Sequence, residues 1–219
     1  MYVKPLLALV LCLFLLPIPF AAQGNVVSQA MQAETAEEAV EVATQEVFSL
    51  ISTGSEYVQE DPDRFYGEVH DLLNPMIDFK RFARGVMGVW YKKASPEQFE
   101  RFSDSFKWSL VKTYATALTE FSQGNVRVVQ PKRKRPSGPN KSLVTMEVDY
   151  QGKTYVVVYD MRRKDEVWQL VNVSIEGINV GLNFKSQFDS AMKGPKYGRD
   201  LDRVIDAWIE QITADEQSG

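Results

Sequence analysis

The one histidine of this 219-residue chain, His70, stands beside Asp71. An imidazole next to a carboxylate is half of a general acid–base pair. Nucleophilic catalysis also needs a hydroxyl or thiol within reach of that base, and the neighbouring residues supply none. A structural histidine on a helix is the plainer reading. The single cysteine, Cys12, lies in an apolar N-terminal run. Leu11 precedes it, where a lipid-modified cysteine needs a small residue. No HExxH pattern, histidine pair or Asp-rich calcium loop is present. Gly85 and Gly88 lack the strand–turn–helix setting of a phosphate loop. Asn172-Val173-Ser174 spells a glycosylation acceptor but falls in an expected strand, so it reads as coincidence. One charged run remains: Lys132, Arg133, Lys134 and Arg135, between Pro131 and Pro136 and helped by Arg127 and Lys141. It is a solvated hairpin loop or a contact for anionic headgroups or an acidic partner. Nothing here is a complete catalytic set, and the expectation is a protein that is not an enzyme.

The elements around these residues follow from periodicity. Thr35 and Glu38 form a capping box ahead of Val40, Ala43, Val47 and Leu50, with Gly54 as the stop. Asp61-Pro62 opens a second helix that buries Phe65, Val69 and Leu72 and breaks at Asn74-Pro75. Asp78 caps a third carrying Phe79, Phe82 and Val86 and ending at Gly88. Ser95-Pro96-Glu97-Gln98 opens the longest, striped by Phe99, Phe102, Phe106, Leu110, Tyr114, Leu118 and Phe121. From Asn125 the period becomes two, the mark of strands with one dry face. Val126 and Val128 lie on a short strand. Val144, Met146, Val148 and Tyr150 lie on the next, and Tyr155, Val157, Tyr159 and Met161 return after a Gln151-Gly152 turn. Val167, Val171, Val173 and Ile175 share one face of the last. Two helices close the chain, striped by Val180, Phe184, Phe188 and Ala191, then by Leu201, Val204, Ile205, Trp208 and Ile212. Helices, a meander, then helices make an α+β fold: an antiparallel sheet of about four strands covered on one face by a helical bundle. The apolar faces exceed what one sheet face covers, which leaves room for an apolar cavity between the layers.

The ends and the charge place the chain. Lys4 followed by the apolar run 6–20, broken by Pro17 and Pro19, reads as a secretory leader (1–24), too short for the roughly 20 residues of a membrane span. Cleavage after Gly24, Ala22 or Ala30 fits. Residues 25–34 read as a flexible lead-in, 35–213 as one domain and 214–219 as a flexible tail. Losing Lys4 takes the net charge from −4 to −5, which argues against nucleic acid as a partner. Losing Cys12 leaves no thiol, so the core alone must stabilise the exported protein.

Residues 84–98 (RGVMGVWYKKASPEQ), then Phe99, Phe102, Phe106 and Thr113-Tyr114-Ala115, resemble the MlaC family of periplasmic phospholipid-binding proteins. A second block agrees: Trp168 to Val173 (WQLVNV), residues 176–181 (EGINVG) and Ser186-Gln187-Phe188. The resemblance spans nearly the whole chain after the leader. It implies a periplasmic shuttle of phospholipid between an outer-membrane lipoprotein complex and an inner-membrane ABC transporter complex, with bound lipid as cargo and no cofactor or metal. The basic Pro-rich segment 131–141 departs from the family pattern. For a carrier of this kind the expected lining is the dry sheet face, namely Val144, Met146, Val148, Tyr155, Val157, Tyr159, Val171 and Val173. Leu72, Met76, Met87, Tyr114 and Leu118 are expected opposite it. Two alternatives stand beside the carrier: a cavity-bearing α+β enzyme using His70 with Asp71, and an adaptor that binds protein through an apolar surface.

Overall fold

Helix starts written into the sequence are the starts observed in the computed structural model, which describes residues 31–120, 125–129 and 138–216, with side chains for 31–115, 126–129 and 138–210. Helix α1 is Ala36–Gly54, and both halves of the Thr35/Glu38 capping box are formed. Asp61 caps α2 (Pro62–Met76), and Asp78 caps α3 (Phe79–Met87), which Gly88 ends at φ 56°. A 3₁₀ turn, Gly88–Lys93, leads to α4 (Pro96–Glu120). There the Ser95 N–H donates to Gln98 Oε1 at 3.0 Å and the Gln98 N–H donates to Ser95 Oγ at 3.2 Å. Helices α5 (Val180–Lys193) and α6 (Leu201–Glu216) follow the sheet.

Helix α2 does not break at Asn74-Pro75 but runs through them to Met76. Pro75 falls in the last turn, where few intrahelical bonds remain to lose, and its carbonyl accepts from Gln169 Nε2 at 3.1 Å. The extra turn rotates the buried face, so Leu73 and Met76 are buried and Leu72 is only half-buried.

Among the described residues the sheet has five strands rather than about four, all antiparallel in the order β1 (Asn125–Val129), β2 (Lys141–Tyr150), β3 (Lys153–Lys164), β4 (Val167–Ile175) and β5 (Ile178–Asn179). The fifth is two residues long, too short to show alternation. Gln151-Gly152, Asp165-Glu166 and Glu176-Gly177 all have positive φ, the conformation of two-residue turns that match strand twist. Across the dry face Val144 opposes Tyr159, Met146 opposes Val157 and Val148 opposes Tyr155.

β4 departs from the expected face. Asp160 pairs Asn172 but Met161 pairs Leu170, so Val171 has no partner and the strand bulges. The dry side therefore runs Trp168, Leu170, Val173, Ile175, and not through Val167 and Val171. The outer edge of β4 is covered by other parts of the chain, as exposed edges must be. Trp168 N–H donates to the Met31 carbonyl at 2.7 Å, Asp78 N–H donates to Leu170 O at 3.0 Å, and β5 pairs at Ser174 and Ile175. Met31, inside the segment expected as a lead-in, is 1% exposed.

Candidate functional site

Where α1 and α2 cross the dry face of β3 and β4 there is a recess of about 50 Å³. Val40, Ala43, Thr44 and Val47 come from α1, Leu73 and Met76 from α2 and Ile77 from the linker, with Tyr159, Met161 and Leu170 beneath and Met31 at one side. Each follows from a simple pattern. The α1 residues sit at helical spacing on one face, and the β3 residues alternate. Thr44 is the polar exception, and its Oγ1 lies 3.9 Å from Met146 Sδ. Everything else in the lining is apolar or presents an apolar body, so the recess is suited to hydrocarbon and offers nothing for acid–base work. Its volume is that of a few waters, well below the roughly 300–1,000 Å³ of ordinary ligand pockets. The wide cavity expected between the layers is not shown by the described residues.

Of the residues expected to line a site, Met76 and Tyr159 border the recess. Val144, Met146, Val148, Val157 and Val173 are buried on the same sheet face, Met87 is buried, and Tyr155 and Tyr114 are half-buried. Burial pushes the Tyr114 hydroxyl above its ordinary value. Val171 is buried apart from the main core, in a separate crevice with Arg81, Asn172 and Lys185. The Leu118 side chain and all of Lys132, Arg133, Lys134 and Arg135 lie outside the described residues, as does the leader. The larger omission was α1, whose stripe reads as plain core in the sequence and proves to be one wall of the recess. Met31 gave no periodic signal at all.

His70 Nδ1 is 2.9 Å from Asp71 Oδ1, and the ring stacks on Trp108 with centroids 4.5 Å apart and an 11° tilt. Asp71 is turned to solvent. The imidazole is thus used as a flat packing surface. Among the described residues no group of carboxylates and histidines could hold a metal, and no helix is long and apolar enough to cross a membrane.

The family model for MlaC protein matches residues 41–210, from the recess wall on α1 to α6. The chain belongs to the MlaC family. Toluene tolerance protein ttg2D of Pseudomonas putida is 32% identical over 85% of this chain and 85% of its own length. The intermembrane phospholipid transport system binding protein MlaC of Haemophilus influenzae is 29% identical over 41% of this chain and 42% of its own. Among solved structures, a phospholipid-binding protein from Ralstonia solanacearum in complex with a phospholipid shares the fold. Its TM-score is 0.73 at 22% identity, covering 83% of this chain and 98% of that one. The helix–meander–helix order is therefore shared with a chain in which fewer than one residue in four is the same.

Proposed function

We propose that this MlaC-family protein is a periplasmic phospholipid carrier that performs no chemistry. It holds acyl chains between α1, α2 and the dry face of the sheet and travels between an outer-membrane lipoprotein complex and an inner-membrane ABC transporter complex. The observation that carries this reading is the recess itself: an almost wholly apolar lining, opened between two layers of a fold whose relative binds phospholipid. One chain of about 14 methylenes costs roughly 11 kcal/mol to expose to water, at about 0.8 per CH₂. A few hydrogen bonds cannot offset that, so the wall must be hydrocarbon. Loading then requires α1 and α2 to move off the sheet, because the gap between them is far smaller than a fatty chain. Met31, Met76 and Met161, unbranched and easily repacked, suit a wall that must reshape. Release into a membrane is feasible because bilayer and recess are similar solvents.

The test is mass spectrometry of an organic extract of the purified protein. Phospholipid near one molecule or more per chain is expected. A protein free of lipid that also takes up none from vesicles would defeat the reading.

A further inference from the structure

Beyond the recess, along the same face of the sheet, two donors stand without a protein acceptor. Trp168 is 5% exposed and its indole Nε1 is buried and unpartnered; Arg163, directly opposite on β3, has a buried, unpartnered Nε. The guanidinium lies over the face of the indole, 5.7 Å from its centroid, so both side chains belong to one cross-strand pair. They form the rung next to Met161 and Leu170, which line the recess, and same-face rungs are about 7 Å apart. Met31 joins the two places, since its side chain lines the recess and its carbonyl accepts from Trp168 N–H. Among the described residues, the acidic group paired with Arg163 is the Glu166 carboxylate, 2.8 Å from Nη2 and itself 84% exposed. The neighbouring Arg162 has Asp160 at 3.3 Å on the opposite face.

Buried polar groups in native proteins are matched almost without exception. An indole N–H and a guanidinium one rung beyond an apolar recess call for an anionic acceptor with hydrocarbon attached, and Arg is the side chain best shaped for phosphate. We infer that Arg163 and Trp168 hold the phosphodiester of the bound lipid, with its chains running past Met161 into the recess. This rests on the carrier reading above and adds a headgroup contact to it.

The experiment follows the four tryptophan indole N–H signals by NMR, with Trp168→Phe identifying the relevant one, and measures affinity for three probes: dioleoylphosphatidylglycerol, dioleoylglycerol and inorganic phosphate. The phospholipid should move the Trp168 signal and bind about tenfold more tightly than dioleoylglycerol, the size of one charge-assisted hydrogen bond. Arg163→Gln and Trp168→Phe should each remove that preference while leaving dioleoylglycerol binding intact, which also shows that they fold. An unmoved signal, an equal response to both lipids, or equal loss of both lipids in the variants overturns the headgroup contact and leaves the acyl reading standing. A response to inorganic phosphate without one to phospholipid also overturns it, making free phosphate the ligand. If the unaltered protein binds neither lipid, the carrier reading itself has failed.

Discussion

A single side chain at the α1–α2 corner shows how local burial reaches the recess wall. The Tyr57 hydroxyl donates to Glu68, its ring meets Phe65 edge-on at 6.3 Å, and the Arg64 guanidinium lies 4.1 Å over the ring. These contacts tie the linker that follows α1 to α2, the two helices that would have to move for loading. Burial first, and the Glu68 hydrogen bond second, push the Tyr57 hydroxyl up to about 12. The unfolded chain titrates near 10, so between about pH 10 and about 12 the unfolded state loses a proton that the native state keeps. Stability is therefore lost as pH rises through that window and is unaffected by this group below it. Urea titrations from pH 9 to 12 should show a flatter decline for Tyr57→Phe than for the unaltered protein. Parallel declines would mean that the hydroxyl is as exposed when folded as when unfolded.

Two glycines, one at the end of α1 and one within α2, separate packing from propensity at the level of the element. A Cβ on Gly54 would lie 2.2 and 2.4 Å from the Phe65 ring, which is fully buried and has nowhere to go; a Cβ on Gly67 meets nothing within 4 Å. Alanine gains roughly 0.5–1 kcal/mol over glycine inside a helix, while overpacking a core costs about 1–3 kcal/mol. Gly67→Ala should raise the denaturation midpoint and Gly54→Ala should lower it; the same sign for both would show that Phe65 yields. The helices themselves were legible because their signals are local: Thr35 with Glu38, Asp61-Pro62 and Ser95 with Gln98 each lie within one turn. β4 was not, because its bulge is a matter of pairing with β3, and no pattern within Val167–Ile175 distinguishes Val171 on the dry face from Val171 at a bulge. β5 pairs with the adjoining end of β4 but is too short to alternate, and the docking of Met31 on Trp168 joins segments far apart in sequence.

At the scale of the molecule the dry sheet face was readable, since alternation in β2 and β3 leaves no freedom about which side is wet. What lay opposite it was not. Residues of α2, α3 and α4 are the ones expected against the sheet, but α1 takes the place beside the recess, because a stripe of Val40, Ala43 and Val47 says that a face is buried but not against what. On the carrier reading, that arrangement makes α1 the element on which loading depends. Ala43 is small, half-buried and on the recess wall, so Ala43→Trp would fill the space from the helix side without adding a charge to the core. A ligand that binds only the native state stabilises it by RT ln(1 + L/Kd), L being its free concentration, and so raises the melting temperature with concentration and affinity. The unaltered protein should gain several degrees on addition of phospholipid, and Ala43→Trp should gain little while keeping its own melting temperature near the lipid-free value. If the variant is stabilised by lipid as strongly as the parent, the chains enter elsewhere, and the gap between α1 and the sheet is ordinary imperfect packing.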